Sequence, residues 1–187
     1  MTGWRLSARP LLLGVQMNPG KIFERSFAAS MPDGIYFQRM IDPAASFGGA
    51  DVTRFSPHQP YDFFAYEYPC FYAMELKSTM SSLTYWRKDF EQDGKKRTFE
   101  IKKCQIEGLT KAASYPGVVA GFYINFRNVD ETYFLSIQNF HALTDTLEKK
   151  SINKNDVSLF GKIIDQKKMR TNFRYDLRKF FDEMKSN

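Results

Sequence analysis

The fold is decided by residues 60–77, which read PYDFFAYEYPCFYAMELK. Two runs rich in aromatic residues flank Tyr68-Pro69, a pair that favours a turn. Side chains alternate between the faces of a strand, so Glu75 and Lys77 point the same way while their neighbours enter a core. When the two runs pair as a hairpin, Asp62 falls beside Glu75. The stretch therefore predicts a β-hairpin with two acids and a lysine gathered on one face.

This group of charges suits one kind of chemistry. Two adjacent carboxylates repel each other unless a cation lies between them, and oxygen ligands on rigid strands suit Mg²⁺ or Mn²⁺. A lysine further along the same face can approach a water or phosphate bound to that metal, which indicates metal-assisted phosphodiester hydrolysis. The alternative is a solvated cross-strand charge pair. The aromatic neighbours of Asp62 favour the functional interpretation, because they are a poor setting for a merely solvated charge.

The composition is that of one domain rich in aromatic residues. The chain has 187 residues, 43% of them hydrophobic, and its 18 Phe and 10 Tyr predict a core packed largely from rings. The net charge of +6 favours a polyanionic partner, although basic surfaces also occur on proteins with no nucleic-acid role.

The expected location is the cytoplasm, of a bacterial cell or of an infected host if the protein is phage-borne. No apolar stretch approaches the ~20 residues that a membrane span needs. Cys70 and Cys104 are predicted to be buried reduced thiols, because two isolated cysteines form neither a disulfide framework nor a zinc site.

The pattern along the chain predicts a single domain over residues 17–187. Residues 1–16 are expected to be a poorly ordered extension, with Met17 as a candidate native start. Residues 42–60 read as a long projecting loop and residues 86–98 as a charged insertion. The expected elements are a helix at 21–28, strands at 35–41, 60–64 and 72–77, a helix at 99–115, strands at 118–126 and 132–137, and a helical tail ending near 184. Together they predict an α/β fold in which helices flank a mixed sheet.

These motifs resemble those of the PD-(D/E)xK nuclease superfamily. Pro60-Tyr61-Asp62 followed by Glu75-Leu76-Lys77 matches its core. More narrowly, the chain from about residue 17 onward resembles RecU-type Holliday junction resolvases. The further matching stretches are 18–24 (NPGKIFE), 105–107 (QIE), 118–126 and 131–135. The resemblance implies a restriction-endonuclease-like mixed β-sheet flanked by helices, with residues 42–60 as a stalk that projects into the junction.

The resemblance also implies roles for individual residues. Asp62 and Glu75 would hold Mg²⁺, with Mn²⁺ as a substitute, and Lys77 would stabilise the transition state or orient the attacking water. Gln105 would supply or position a metal ligand, and Glu24 would assist through water. For Gln105 the alternative is a helix-surface amide, and for Glu24 it is an acid placed only by the helix dipole.

The chain departs from the family pattern at three places. Pro60 stands where the family has a hydroxyl residue, Cys104 stands where it often has histidine, and residues 86–98 look like an insertion. These differences bear on metal geometry and junction selectivity rather than on the reaction class. They suggest a divergent, phage-borne member.

DNA binding is expected to be mainly electrostatic, because basic side chains neutralise phosphates and release counterions. Aromatic residues interleaved with them can stack on exposed bases. The predicted nucleic-acid contacts are Arg39, Arg54, Lys95, Lys96, Arg97, Lys102, Lys103, Arg170 and Arg174. The alternative is a set of helices with a solvated basic face. A two-fold junction cut symmetrically calls for a two-fold enzyme, so a homodimer is expected.

The predicted function is a metal-dependent endodeoxyribonuclease that resolves four-way (Holliday) junctions in DNA recombination and repair. Cleavage is expected to leave 5′-phosphates. One alternative is an endonuclease of the same superfamily that acts on flaps or ordinary duplex. Another is a non-catalytic nucleic-acid-binding module on the same scaffold, against which the presence of Asp62, Glu75 and Lys77 together argues.

Overall fold

The computed structural model describes residues 18–40, 59–90 and 98–185. The helices are α1 (Pro19–Ala28), α2 (Lys103–Ala113), α3 (Ile137–Thr146), α4 (Lys154–Phe160) and α5 (Leu177–Lys185). The strands are β1 (Tyr36–Arg39), β2 (Phe63–Glu67), β3 (Cys70–Thr79), β4 (Ser82–Thr84), β5 (Val118–Phe126), β6 (Glu131–Ser136), β7 (Ser151–Asn153), β8 (Lys162–Ile164), β9 (Gln166–Lys168) and β10 (Phe173–Tyr175).

Among the described strands, six form one mixed sheet in the order β1-β2-β3-β5-β6-β8. Its centre is the parallel pair β3–β5, and the other pairs are antiparallel. A crossover containing α2 joins the two parallel strands, as such pairing requires. The shorter pairs β4–β7 and β9–β10 lie outside this sheet. The predicted α/β fold, a mixed sheet flanked by helices, is confirmed.

The sheet separates two hydrophobic cores. The first is built from rings: Tyr123 lies 5.2 Å from Phe27 of α1, 4.9 Å from Phe134 of β6 and 5.7 Å from Phe180 of α5, measured between ring centroids. Edge-to-face and tilted contacts of this kind suit the quadrupole of aromatic rings. The second core lies between the other face of the sheet and α2, α3 and α4. The predicted ring-packed core is therefore confirmed.

The alternation along β3 places its charged residues on a defined face. Tyr72, Met74 and Leu76 are buried in the first core. Because successive side chains of a strand point to opposite faces, Glu75 and Lys77 face α2 on the other side. The turn predicted at residues 67–69 is present between β2 and β3, which pair as the expected hairpin.

The second predicted helix begins later than expected. The sequence pattern predicts this helix over 99–115, whereas α2 begins at Lys103. Ile101 instead forms a parallel bridge with Tyr85. Ile101 is fully buried, and the Glu100 carboxylate accepts from Thr84 N at 2.9 Å. Packing of this extended segment overrides the helical pattern of its sequence.

The tail contains strands as well as the expected helices. Strands β7, β8, β9 and β10 have only three residues each, too few to show an alternating pattern. They exist because they pair with β4, with β6 or with each other. The pairings of β7 and β8 join distant parts of the chain, and the β9–β10 hairpin is too short to show a strand pattern, so the prediction of a helical tail was incomplete.

Residues 86–90, expected to open a solvated insertion, belong to the packed fold. Phe90 ends a short 3-10 turn (Lys88–Phe90) and is only 4% exposed. Arg87 pairs with Asp89 at 2.7 Å and donates to the carbonyl oxygens of Thr144 and Leu147 at 3.0 and 2.8 Å. Arg87 thereby satisfies the last carbonyls of α3. The rest of the predicted insertion, most of the stalk-like loop and the extension at 1–16 lie outside the described residues.

Two smaller observations complete the description. Cys70 and Cys104 are free thiols, as expected, but they are half-buried rather than fully buried. In the described part of the chain, no helix combines the length and the apolar character needed to cross a membrane.

Candidate active site

The β2–β3 hairpin brings the two predicted metal-binding acids together. Asp62 immediately precedes β2 and lies across from Glu75, since the neighbouring pair in register is Phe63↔Met74. The backbone N of Asp62 donates to Met74 O at 3.0 Å, and its Oδ2 accepts from Leu76 N at 2.9 Å. These bonds, one on each side of Glu75 along the chain, fix the Asp62 carboxylate against β3.

Glu75 and Lys77 form a buried ion pair. The Nζ atom of Lys77 lies 2.9 Å from Oε1 of Glu75, and the two side chains are 15% and 3% exposed. A buried ion pair costs desolvation energy that well-packed apolar residues would avoid, so it is weak support for stability. Such a pair is more typical of a functional site. We call Asp62, Glu75 and Lys77 the acidic site.

Gln105 joins the acidic site from the first turn of α2. Its Nε2 donates to Oε1 of Glu75, and its Oε1 accepts from the backbone N of Lys102 at 2.9 Å. The oxygen of the Gln105 carboxamide therefore caps the N-terminus of α2, and its nitrogen orients the Glu75 carboxylate. Of the two roles predicted for Gln105, this geometry favours positioning a ligand over supplying one.

The environment of Glu75 raises its pKa from the ordinary 4.5 to about 7. Burial is the main cause, since it disfavours the charged form. Lys77 opposes the shift, whereas the nearby charges of Asp62 and Glu24 add to it. A cation placed beside Glu75 would favour the ionised form. The site thus holds an acid whose pKa lies near neutral pH.

Glu24 lies at the edge of the same group of charges. It extends from α1, and its Oε2 lies 2.7 Å from Nη2 of Arg39 on β1. Burial raises the pKa of Glu24, the charge of Arg39 opposes that shift, and the charge of Asp62 adds to it. The structure therefore brings Glu24 and Arg39, predicted to assist catalysis and to bind phosphate, into one exposed ion pair beside the acidic site.

The chemistry of the acidic site fits Mg²⁺ or Mn²⁺. Within the described residues, no three or more His, Cys, Asp or Glu side chains are arranged as a metal cage. Mg²⁺, however, is usually bound through one or two carboxylates and keeps several waters or substrate phosphates as its other ligands. Asp62 and Glu75 supply this donor set, and burial keeps the pKa of Glu75 raised even with Lys77 beside it.

The predicted DNA contacts fall in three places. Lys102 and Lys103 are exposed at the start of α2, next to the acidic site, and the Nζ of Lys103 lies 4.7 Å from the centre of the Trp86 ring. Arg170 and Arg174 lie on and beside the β9–β10 hairpin, and Arg39 lies on β1. Arg54, Lys95, Lys96 and Arg97 lie outside the described residues.

Gly108 of α2 also shapes the site, which the sequence-based interpretation did not anticipate. A Cβ atom at Gly108 would overlap Cβ of Pro60 and lie 3.1 Å from its backbone Cα and O atoms. The helix therefore approaches the chain two residues before Asp62 closely enough to exclude any side chain. A glycine inside a helical pattern is a signal of such close packing.

The chain is similar in sequence to a prophage protein. It is 28% identical over 184 residues to the SPbeta prophage-derived uncharacterized protein YotM of Bacillus subtilis (strain 168). The matched region covers 89% of this chain and 87% of YotM. No protein-family model matches the chain.

Among solved structures, the chain is similar to Hjc, a Holliday junction resolvase from the archaeal hyperthermophile Archaeoglobus fulgidus. The two superpose with a TM-score of 0.41 at 20% sequence identity, over 70% of this chain and 83% of Hjc.

Proposed function

We propose that this protein is a metal-dependent endodeoxyribonuclease that resolves four-way DNA junctions. The observation that carries the proposal is the buried Glu75 carboxylate, which is 2% exposed, paired with Lys77, oriented by Gln105 and placed across from Asp62. A solvated cross-strand charge pair would be exposed and would have an ordinary pKa. Glu75 has neither property, so the functional interpretation accounts for the site better than the solvated one.

Each residue then has a chemical role in phosphodiester hydrolysis. Asp62 and Glu75 would hold Mg²⁺, with Mn²⁺ as a substitute; when bound, the cation offsets phosphate charge and lowers the pKa of water. Lys77 presents a compact ammonium group to the charge that develops on the phosphate. Gln105 keeps the Glu75 carboxylate in place, as outer hydrogen bonds commonly do for metal ligands. Glu24 would assist through water and Arg39 would contact a backbone phosphate, from the ion pair that they form beside the site.

Junction selectivity and assembly are further parts of the proposal. A four-way junction has two-fold symmetry, so paired symmetric cuts require two copies of the acidic site in a homodimer. The similarity to a prophage-derived protein supports action in a phage-infected or lysogenic cell, during recombination and repair of DNA. The expected products carry 5′-phosphates, which ligation of the cut strands would reveal.

The test is cleavage of a labelled four-way junction with Mg²⁺ or Mn²⁺, beside linear duplex and flap DNA of matched sequence. Native protein is expected to cut the junction, and the Asp62→Ala protein to be inactive. Asp145→Asn, which removes the charge of an exposed acid, serves as a matched control. Equal cleavage of duplex and junction would favour an endonuclease with another DNA target. No cleavage by native protein with either metal would contradict the catalytic proposal.

Lys77→Ala separates binding from catalysis. The variant is expected to bind the junction with near-native affinity in EDTA and to lose on the order of 10²-fold or more in single-turnover cleavage, as removal of a transition-state donor does. It also removes the charge that opposes the raised pKa of Glu75, so its residual activity should require a higher pH. Native-like cleavage by Lys77→Ala would exclude the proposed role.

A further inference from the structure

The β9–β10 hairpin is a separate two-stranded ribbon outside the main sheet. Its register pairs Lys167 directly with Arg174. The chain reverses at Arg170 and Thr171. Met169, which follows β9, donates its backbone N–H to the O atom of Asn172, which precedes β10, at 2.8 Å. The ribbon therefore has two faces and a short tip. The two faces differ in how exposed their side chains are.

One face of the ribbon is anchored in the protein. Tyr175 is 4% exposed, and its ring centroid lies 5.6 Å from that of Phe23. Its backbone N donates to Ser30 Oγ at 3.0 Å. On the paired strand, Gln166 accepts from Thr132 Oγ1 at 2.6 Å. These contacts to α1 and β6 hold the ribbon rigidly against the first core.

The opposite face and the tip carry exposed basic residues. Lys167, Arg170 and Arg174 are exposed, and none forms an ion pair with an acidic side chain of the described residues. We call these three residues the hairpin face. Like charges directly opposite each other on paired strands are destabilising. The protein therefore keeps an unfavourable pair, Lys167 and Arg174, at the surface of a rigid element.

The acids near the hairpin face are already engaged elsewhere. Asp165 is bound by Lys179 Nζ at 2.7 Å, and Oδ1 of Asp176 accepts from the backbone N of Lys179 at 3.1 Å, at the start of α5. On α5 itself, Arg178 pairs with Glu67 at 3.1 Å. The basic residues of the tail thus divide into those of α5, which acids of the same chain neutralise, and those of the hairpin face, which they do not.

We infer that the hairpin face binds successive backbone phosphates of a duplex arm that flanks the cleavage point. This inference rests on the proposed function, because it takes DNA as the substrate. Residues paired across antiparallel strands lie about 5 Å apart, so Lys167 and Arg174 present two cations side by side to one phosphate strand. A basic ribbon suits a phosphate backbone, because its lysine and arginine side chains neutralise phosphate charge and position the duplex.

A row of hydrogen-bonded side chains runs from β3 to the ribbon along the first-core face of the sheet, opposite the face that carries Glu75 and Lys77. Ser78, which follows Lys77 on β3, donates to Asn125 at 3.2 Å; Asn125 donates to Thr132 at 3.0 Å; and Thr132 donates to Gln166 on β9. The row crosses three strands of the sheet, on the order of 15 Å at the usual strand spacing. At this separation from the acidic site, the hairpin face would contact the arm of the DNA and not the phosphate being cut.

The test is the salt dependence of DNA binding by the Lys167→Ala/Arg174→Ala variant. Binding of a fluorescent four-way junction is followed by anisotropy in EDTA at several KCl concentrations. Each lost phosphate contact lowers the slope of log K against log [salt] by about 0.9. The double variant is therefore expected to have a slope shallower by about 2, and to raise KM for cleavage much more than it lowers kcat.

The matched control is the Arg178→Ala/Lys179→Ala variant, which removes the same charge from α5, the next element of the chain. Its slope should stay near the native value, because acids of the same chain already neutralise these two residues. A Lys167→Arg/Arg174→Lys variant, which keeps both charges, should recover the native slope. Circular dichroism checks that all variants are folded.

Either of two results would overturn the inference: a native slope for the hairpin variant, or an equal loss in both double variants. The latter would mean that only net charge matters. Strong capture of an acidic peptide with no change in DNA binding would assign the face to a protein instead. A native protein that binds DNA and cuts junctions while the hairpin variant behaves identically would refute this inference alone. A native protein that binds no DNA would refute the proposed function as well.

Discussion

Glu75 is a carboxylate placed where an unpaired negative charge is costly. It is almost completely buried, it forms an ion pair with Lys77, and Asp62 lies across from it just before β2. An apolar residue at this position would avoid the desolvation cost, so the acid opposes stability rather than supporting it. Such trade-offs are common at functional sites. Substitutions at Glu75 therefore test the proposed function most directly.

Glu75→Gln is expected to remove a pH-dependent loss of stability from the metal-free protein. The pKa of Glu75 is raised from 4.5 to about 7 in the folded state, so its contribution to stability is fully present below pH 4.5. It is lost as the pH rises through 7. The amide does not ionise, so the variant should escape this loss, which amounts to at most ~3 kcal/mol. Urea unfolding between pH 4 and 8, with EDTA, measures the difference between the two proteins.

Glu148→Gln provides the control for this comparison, because Glu148 is an exposed acid. Its unfolding free energy should follow that of native protein across the same pH range. Mg²⁺ should raise the stability of native protein but not that of Glu75→Gln. A constant difference between native protein and Glu75→Gln at all pH values would contradict the raised pKa.

Gln105→Glu distinguishes the two roles predicted for Gln105. A glutamate can still accept from Lys102 N, but it cannot donate to Glu75 and adds a repelling charge. A positioning role predicts that Gln105→Glu is more damaging than Gln105→Ala. Both should weaken apparent Mg²⁺ affinity by about 10–100-fold, with recovery of the cleavage rate at high metal concentration. Mg²⁺ titrations of the single-turnover rate measure this.

A direct ligand role predicts the reverse order, because an added carboxylate would bind the metal more tightly than the amide. Gln138→Glu, an exposed change of the same kind on α3, is expected to have no effect on the titration. Native-like Mg²⁺ dependence in both Gln105 variants would show that neither role applies.

At the scale of elements, the position of α2 depends on its contact with the chain before β2. The helix supplies Gln105 to the acidic site and meets Pro60 at Gly108, where no side chain fits. Since Asp62 is only two residues from Pro60, this contact sets the distance between the helix and both acids. The pair Pro60 and Gly108 thus forms a spacer for the site.

Gly108→Ala is expected both to destabilise the protein and to weaken its apparent affinity for Mg²⁺. Alanine at an exposed helical glycine usually gains about 1 kcal/mol, whereas a forced overlap in a packed contact costs about 1–3 kcal/mol. The helix must shift away from Pro60 and draw Gln105 from Glu75. Urea unfolding and the Mg²⁺ titration of cleavage measure both effects.

Lys111→Ala, an exposed substitution on the same helix, should be neutral in both measurements. If Gly108→Ala is more stable than native protein and keeps its Mg²⁺ dependence, the spacer role of Pro60 and Gly108 is wrong.

At the scale of the whole molecule, the proposal requires two acidic sites acting on one junction. The protein is expected to elute with a mass of twice the 21.8 kDa of one chain in light-scattering chromatography. Mixing native protein with excess Asp62→Ala should give hybrid dimers that nick one strand only. A monomer that cuts both strands of the junction with equal efficiency would exclude a two-fold mechanism.

The sequence predicts the β2–β3 hairpin better than the tail of the chain. The alternation in residues 60–77 specifies the hairpin, its register and the shared face of Glu75 and Lys77, because these depend on local period and a short turn. Sequence alone did not indicate the burial of Glu75, the contact at Gly108 or the short strands of the tail. The burial of Glu75, the partner of Gly108 and the pairings of β7 and β8 depend on segments far apart in the chain.

The parallel pairing of β3 with β5 has a consequence for how the protein folds. The β2–β3 hairpin is local and can form early, already carrying Asp62, Glu75 and Lys77. Its β5 neighbour arrives only after the chain has closed a long loop through α2, a slow step for non-local strand pairs. Until then Glu75 remains hydrated, with an ordinary affinity for protons. The reactive centre is therefore complete only once α2 and β5 have joined the hairpin.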